Sequence, residues 1–212
     1  QEKKIDLVIT ADCGTSNSRE VEDLKKHKID TIITDHHEPS IKELPSAIGI
    51  INPKVKDSTY KYRELAGVGV AYKLCQALTQ SRLLDELDLV TLGTIADVVP
   101  LTGENRVFVK EGLKVFAKTK RPGIKAMIEN AGIKNKKFTP TFVSFILGPR
   151  LNAAGRMDSA DTALKLLMSG NEAEAQELAG ILEQHNRSRQ KIEGKILEEA
   201  EAIINKDVNF KK

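Results

Sequence analysis

The feature that most constrains the fold is an alternation of short apolar runs and one helical segment in the first third of the chain. An apolar run from Ile5 to Ile9 ends in a polar turn that contains Asp12. A short amphipathic segment to about His27 follows, and a second apolar run, Thr31 to Thr34, comes directly after it. Strands joined this closely through a helix predict right-handed crossovers and a buried parallel sheet.

Polar side chains follow the ends of these predicted strands. Asp12 follows the first strand and Asp35 follows the second, while a third apolar run, Ala47 to Ile51, is closed by Asn52 and Pro53. Ligands of parallel sheets bind beyond the carboxyl ends of the strands. The sequence therefore predicts that the acidic clusters lie together at one edge of the sheet.

The remainder of the chain follows the helical period. From Glu172 to about Ile204, apolar residues recur among many charged residues. This pattern predicts one long or kinked, mostly exposed helix. We expect an α/β fold in which a parallel sheet flanked by helices is followed by a mainly helical part and this connector helix. The other predicted helices span Leu65 to Leu78, Leu83 to Ile95, Arg106 to Lys118 and Gly123 to Ala131, and the last is followed by a basic loop, Lys134 to Lys137.

Composition excludes several classes of protein. No apolar run approaches the roughly eighteen residues of a membrane span, and the charged N-terminal stretch lacks the ordered regions of a signal peptide, so we expect a cytoplasmic protein. The two cysteines, Cys13 and Cys75, form no C-x-x-C pair. We expect both to be small buried apolar residues rather than partners in a disulfide.

Charge and aromatic content bear on nucleic-acid binding. The net charge is only +3, so any basic surface for nucleic acid would have to be local. Aromatic residues make up 4% of the chain, and tryptophan is absent. This composition argues against a platform of aromatic rings on which bases stack.

The strongest local signal is TDHHEP, residues 34 to 39. His36 and His37 follow Asp35 at a predicted strand end, which puts imidazole and carboxylate groups on one rim. Imidazoles bind transition metals, and carboxylates suit manganese and magnesium. The alternative is a turn whose histidines are merely solvated, and for a lone His-His pair this is the more frequent case.

Two more acidic residues end apolar segments, Asp12 in TADCG and Asp97 in GTIADVVP. Each alone is weak evidence, because an aspartate in a turn after a strand is common. Together with His36 they could converge on one divalent cation, and Asp12 is placed to bridge a second cation. The residues alone leave this convergence and a set of ordinary turn residues equally open.

The segment GPRLNAAGRMDSA, residues 148 to 160, holds two arginines and an asparagine among small residues: Arg150, Arg156 and Asn152. Small residues let a phosphodiester backbone approach closely, and arginine makes forked, charge-assisted bonds to phosphate oxygens. An ordinary loop with two solvated arginines is the equally open alternative. We expect Asp158 and Ser159 to cap a helix that begins near Ala160.

Taken in order, TADCGTSN, TDHHEP, GTIADVVPL and GPRLNAAGRM resemble consecutive motifs of the DHH phosphoesterases. The last motif is similar to that of the branch specific for single-stranded DNA, and INPK and LAGVGVAYKL extend the resemblance over nearly the whole chain. The resemblance implies a two-metal exonuclease dependent on Mn²⁺ or Mg²⁺. Such an enzyme releases mononucleotides from single-stranded DNA in the 5′ to 3′ direction in DNA repair and recombination.

The same resemblance implies roles for individual residues. Asp12 would be shared between the two metals, and His36 and Asp97 would complete the shell of one of them. His37 would complete the catalytic set by facing the substrate phosphate, while Asp35 would orient the histidines. The implied contacts with the DNA backbone come from five residues: Gly148, Arg150, Asn152, Gly155 and Arg156.

Two features of the family have no counterpart in the sequence. These are the first, aspartate-rich motif and the C-terminal DHH-associated domain. The resemblance thus divides the chain into a DHH core without its first motif, residues 1–170, and a connector helix, residues 171–212. We expect this chain alone to hold metal poorly and to have weak or no nuclease activity.

Two alternative functions remain open. A DHH phosphodiesterase or pyrophosphatase could act on small phosphate substrates, although GPRLNAAGRM favours a long strand. A non-catalytic DHH-like scaffold of replication or repair would be indicated by loss of metal ligands, yet all four candidates are present. We expect single-stranded DNA as the partner, with replication or repair proteins as further candidates, and no membrane.

Overall fold

Three short parallel strands form the predicted sheet, in the order β1-β2-β3. They are β1 (Leu7–Ala11), β2 (Asp30–Thr34) and β3 (Gly49–Ile51), and their valine, isoleucine and threonine residues favour extended backbone. Helix α1 (Ser18–Lys26) joins β1 to β2. This computed structural model describes residues 4–39, 43–132, 138–157 and 159–207.

The register of the sheet brings the three strand ends level with one another. Ala11 pairs with Thr34, and Thr34 pairs with Ile51. The residue that follows each strand therefore leaves the sheet at the same edge. This edge is the predicted position of the acidic clusters.

Strand β1 differs from its predicted burial. Leu7 is 43% exposed and Ile9 is 53% exposed, whereas Ile33 of β2 is fully buried. Successive side chains of a strand point to opposite faces. Within the described residues, β1 is an edge strand and the face that carries Leu7 and Ile9 is open to solvent, so the prediction of a buried first strand is wrong for this face.

The chain divides into two compact units, and the first, Gln1–Lys118, contains the sheet. After the sheet it is helical, with a 3₁₀ turn at Leu84–Glu86. Its core cluster includes Leu65, Tyr72 and Phe108. The helices are α2 (Gly67–Thr79), α3 (Leu87–Ala96) and α4 (Gly103–Phe116), close to the predicted ranges.

The second unit, Thr119–Lys212, is helical throughout its described part. A π-helical turn, Val143–Leu147, links two of its helices, and Leu166 and Leu182 are fully buried. The helices are α5 (Pro122–Asn130), α6 (Pro140–Phe142), α7 (Gly148–Met157), α8 (Ala160–Met168) and α9 (Glu172–Asp207).

Several predictions for this second unit have an outcome. The long final helix is confirmed as α9, which has 36 residues. The hydroxyl of Ser159 accepts a hydrogen bond from the backbone N–H of Asp161 at 3.1 Å, which confirms Ser159 as the cap of α8. The basic loop at residues 134–137 and Asp158 lie outside the described residues. The predicted family domains, 1–170 and 171–212, stay a prediction.

The prediction that both cysteines are buried is wrong. Cys13 and Cys75 are exposed free thiols. Cys13 lies in the turn directly after β1, and Cys75 lies on an exposed side of α2, so neither contributes to the core. Among the described residues, no helix combines the length and the apolar character that crossing a membrane requires.

Candidate metal centre

Asp12 leaves the end of β1 in a left-handed backbone conformation, with a φ of 63°. This conformation is uncommon outside glycine and is tolerated best by aspartate and asparagine. The backbone N–H of Asp12 donates to the carbonyl oxygen of Thr34 at 2.9 Å, which ties the turn to β2. The turn directs the carboxylate towards the first residue of α2, Gly67, where a side chain would collide with it.

His36 brings two separate carboxylates together. Its Nε2 atom lies 3.1 Å from Oδ1 of Asp12 and 3.3 Å from Oδ2 of Asp97. Asp97 follows α3 directly at its C-cap. The predicted convergence of these three side chains is therefore present in the structure.

The close contacts of His36 are not hydrogen bonds. Both ring nitrogens are buried, and neither has a hydrogen-bond partner among the described residues. Nε2 is near two carboxylate oxygens without the alignment that a hydrogen bond needs. A buried polar atom without a hydrogen bond is unusual. A divalent cation held by the three side chains would satisfy Nε2.

The chemistry of the donor set also fits a divalent cation. Potential ligand atoms of Asp12, His36 and His37 all lie within 4.8 Å of one another. The carboxylate oxygens of Asp12 and of the nearby Asp97 suit manganese and magnesium, and the imidazole nitrogens are ligands of transition metals. The residues present therefore fit the cation that the sequence predicts.

Asp35 is occupied on both oxygens by hydrogen bonds from its neighbours. Oδ1 accepts from the backbone N–H groups of His36 at 2.7 Å and His37 at 3.2 Å, and it lies 2.8 Å from Nδ1 of His37. Oδ2 accepts from the backbone N–H of Thr15 at 2.9 Å. Both carboxylate oxygens of Asp35 are therefore engaged by neighbouring residues, and the turn that carries the two histidines is tied to this carboxylate.

The electrostatics of the centre follow from these contacts. Burial alone would raise the pKa of Asp35, but hydrogen bonds from Thr15 and His37 outweigh it and lower the pKa to about 2. The hydrogen bond with Asp35 raises the pKa of His37 above its ordinary value. Burial raises the pKa of Asp12, and the nearby Asp97 adds to the rise while His36 opposes it.

The predicted DNA contacts lie on α7 rather than on a loop. Arg150 is largely buried, and its Nε atom donates to Oε2 of Glu183 on α9 at 2.7 Å. Asn152 and Gly155 are exposed, and Gly148 begins the helix. The side chain of Arg156 lies outside the described residues. Contact of these five residues with DNA remains a prediction.

Sequence reasoning missed three residues that surround the centre: Thr15, Asn52 and Gly67. Asn52 follows β3 as Asp12 follows β1, and its amide donates to Oγ1 of Thr15 at 2.9 Å and to the carbonyl oxygen of His37 at 3.0 Å. The position of Asn52 at a third strand end was a signal in the sequence. No sequence signal showed how closely Gly67 approaches Asp12.

A histidine between two aspartates offers ligands for a divalent cation, and comparisons with known proteins give the family. Residues 2–94 match the DHH family, N-terminal domain, and the chain belongs to the DHH family. It is 45% identical over 205 residues to the single-stranded-DNA-specific exonuclease RecJ of Bacillus subtilis, a match that covers 96% of this chain and 26% of that protein. For RecJ of Escherichia coli, the identity is 41%, covering 88% of this chain and 35% of the relative.

Solved structures give the same relationship. RecJ of Thermus thermophilus in complex with Mn²⁺ superimposes with a TM-score of 0.81 at 38% identity, over 92% of this chain and 30% of that one. An exonuclease RecJ bound to manganese gives a TM-score of 0.79 at 35% identity, over 92% of this chain and 50% of that one. The predicted fold and the resemblance to single-strand-specific exonucleases are confirmed. This chain spans half or less of each of these relatives.

Proposed function

We propose that this chain is the metal-binding core of an exonuclease that digests single-stranded DNA with Mn²⁺ or Mg²⁺. The observation that carries the proposal is His36, whose Nε2 atom lies within 3.3 Å of carboxylate oxygens of both Asp12 and Asp97 without a hydrogen bond. The RecJ relatives that it resembles are named as exonucleases specific for single-stranded DNA. Solved RecJ structures contain Mn²⁺ or Mg²⁺.

Asp12, His36 and Asp97 would hold one cation, and Asp12 would share a second. A bound divalent cation supplies charge that polarises the phosphodiester and lowers the pKa of a water nucleophile. Asp35 would hold the histidine turn through the hydrogen bonds that it accepts from the backbone N–H groups of His36 and His37. In this arrangement no covalent intermediate with the protein is needed.

His37 would face the substrate phosphate. Its side chain is 60% exposed, while Nδ1 lies 2.8 Å from Oδ1 of Asp35. That contact fixes the ring and leaves Nε2 available to the substrate. Because its pKa is raised, the ring carries a positive charge over a wider pH range, which favours contact with a phosphate oxygen.

The remaining parts of the proposal concern the substrate and the setting. Asn152 and Gly155 offer an exposed stretch of α7 to a DNA backbone, with Gly148, Arg150 and Arg156 on the same helix. Release of mononucleotides from the 5′ end, a role in repair and recombination, a cytoplasmic setting and replication or repair proteins as partners all follow the resemblance. The intact set of candidate ligands disfavours a non-catalytic scaffold.

A segment exchange tests the function directly. This chain would replace the matching segment of Bacillus subtilis RecJ, and release of mononucleotides from 5′-phosphorylated single-stranded DNA would be measured with Mn²⁺. We expect the chimera to be active, an Asp97→Asn chimera to lose roughly a hundredfold or more in rate, and an Asp85→Asn chimera to stay active. Asp85 is the matched control because it is an exposed aspartate of the same unit.

The isolated chain provides a second arm. We expect weak or no release from it, because the resemblance implies ligands that its sequence does not contain. An active Asp97→Asn chimera would contradict the metal-centre proposal. A soluble, Mn²⁺-binding chimera that leaves single-stranded DNA intact would contradict the exonuclease proposal and keep the metal centre.

A further inference from the structure

We infer that Asn52 is a positioning residue of the metal centre, which holds the loops after β1 and β2 in the geometry that binds the cation. The inference deepens the proposed function and rests on it only for the presence of a metal centre. It concerns a residue that touches none of the candidate ligand atoms.

Asn52 is buried, and both the nitrogen and the oxygen of its side-chain amide form hydrogen bonds. The residue is 4% exposed. Its Nδ2 atom donates to Oγ1 of Thr15 at 2.9 Å and to the carbonyl oxygen of His37 at 3.0 Å, and its Oδ1 atom accepts from the backbone N–H of Lys54 at 2.8 Å. Asn52 therefore links the segment after β3 to the segments after β1 and β2.

Thr15 connects Asn52 to Asp35. Thr15 is fully buried, and it contacts Asp35 through both its backbone N–H and its side chain. The hydroxyl of Thr15 thus accepts from Asn52, while the backbone N–H of the same residue donates to Oδ2 of Asp35 at 2.9 Å. Hydrogen bonds arranged in such a chain polarise and strengthen one another.

The turn that carries His36 is consequently held from two sides. Asp35 accepts from the backbone N–H groups of His36 and His37, and Asn52 donates to the carbonyl group of His37. The ring of His36 has no hydrogen bond of its own among the described residues. Its direction therefore depends on packing and on the backbone that Asp35 and Asn52 hold, and partners of this kind affect metal affinity strongly.

Three variants separate positioning from general stability. Asn52→Leu keeps a similar volume and removes the three hydrogen bonds. Thr15→Val removes the hydroxyl that accepts from Asn52, whereas Thr15→Ser keeps it. The matched control is Thr91→Val, because Thr91 is also fully buried in the first unit and its hydroxyl donates to the carbonyl oxygen of Phe108 at 3.3 Å within the packed helices.

The readout is the Kd for Mn²⁺, measured by calorimetry without DNA on the chimera in which this chain replaces the matching segment of Bacillus subtilis RecJ, beside the Tm of the chimera without metal. We expect Asn52→Leu and Thr15→Val to raise the Kd roughly 10- to 100-fold. We expect Thr15→Ser and Thr91→Val to stay within about threefold of the unsubstituted chimera, although Thr91→Val lowers the Tm as a buried hydroxyl is lost. A purely structural role would lower the Tm of Asn52→Leu and leave its Kd unchanged, which would overturn the inference.

The remaining outcomes are also decisive. If Asn52→Leu does not fold, the Thr15 pair decides, because equal Mn²⁺ affinity of Thr15→Val and Thr15→Ser would overturn the link. Failure of the exonuclease assay alongside Mn²⁺ binding that depends on Asn52 would reject the nuclease and retain this inference. If Mn²⁺ does not bind, or if Asp97→Asn does not weaken its binding, both the proposed metal centre and the positioning role of Asn52 are overturned.

Discussion

The carboxylate of Asp12 fills the space that a side chain at Gly67 would need. A Cβ atom at Gly67 would lie 2.1 Å from Oδ1 and 2.6 Å from Cγ of Asp12. Gly67 is the first residue of α2. The helix can therefore approach the metal centre this closely only because its first residue has no side chain.

Gly67→Ala should separate folding from metal binding. The new methyl group displaces the end of the Asp12 side chain rather than backbone, so we expect the Tm to change by only a few degrees. The displaced carboxylate is a proposed ligand, so we expect the Kd for Mn²⁺ to rise about tenfold or more. Calorimetric titration measures the change.

Gly180→Ala is the control for this glycine substitution. Gly180 lies in α9, and a Cβ atom there meets nothing within 4 Å. We expect unchanged Mn²⁺ affinity and a slightly higher stability, because alanine is favoured over glycine inside a helix by about 1 kcal/mol. Equal Mn²⁺ affinity of the Gly67 and Gly180 variants would contradict the contact with Asp12.

Asp35 should make the free energy of unfolding depend on pH in the acid range. Its pKa is lowered from 3.8 to about 2, so its contribution to folding is fully present above the unfolded pKa and is lost as the pH falls from about 4 towards 2. We expect this loss to be about 2 kcal/mol of the free energy of unfolding, at about 1.4 kcal/mol for each pH unit. Urea unfolding at several pH values measures it.

Asp35→Asn is the variant that isolates this effect. The amide cannot accept at both positions, so we expect lower stability at neutral pH and a smaller further loss between pH 4 and 2. The two proteins should converge in stability at the acid end of the range. A parallel decline of the two curves would assign the acid sensitivity to other carboxylates.

His37 should stay protonated to a higher pH than an ordinary histidine. The hydrogen bond with Asp35 is the main cause of its raised pKa, so its stabilising charge is fully present below the unfolded pKa and is lost as the pH rises through the folded pKa. NMR titration of the ring without metal should give a midpoint above 6.5, the ordinary value. Asp35→Asn should lower that midpoint, and an unchanged midpoint would contradict the proposed cause.

Arg150 should contribute more to folding than Arg187, although both pair with Glu183 through Nε. The side chain of Arg150 is 14% exposed and that of Arg187 is 74% exposed. We expect Arg150→Ala to destabilise the chain by about 2 to 4 kcal/mol, because the shielded carboxylate of Glu183 then loses its buried partner and keeps only the exposed Arg187. Arg187→Ala should cost below about 1 kcal/mol, as exposed pairs do.

Urea unfolding of Glu183→Gln and of the two double variants gives the coupling energy of each pair. Equal coupling energies for the two arginines would contradict the difference in burial. The same proteins test the proposed DNA contact. If Arg150 also reaches a phosphate, Glu183→Gln should tighten binding to single-stranded DNA, and Arg150→Ala should reduce the salt dependence by about one phosphate contact.

Local sequence patterns predicted the strands and helices, because these elements depend mainly on residues that are close in sequence. Apolar runs followed by polar turns predicted the strands, and motif order predicted that Asp12, His36 and Asp97 share one site. Asn52 was not predicted as part of that site, because its role depends on the register that pairs Thr34 with Ile51. Register is a property of two strands together and is not visible in either one.

Burial was the least predictable property for a related reason. The run from Ile5 to Ile9 is apolar in the way of a strand covered on both faces. Its actual exposure depends on which neighbours cover each face, and one face of β1 is open in the described residues. The exposed Cys13 and Cys75 reflect the same dependence, since a small thiol is compatible with either environment.

Two separate requirements restrict the residue type at position 12. The residue must tolerate a left-handed backbone, and it must offer a ligand to the proposed metal. Glutamate would offer the same carboxylate but would be strained in that conformation by roughly 1 to 2 kcal/mol, and glycine would accept the conformation but offer no ligand. Asparagine alone keeps the turn while it removes the charge. Asp12→Asn is therefore the substitution from which a ligand role can be measured without also measuring backbone strain.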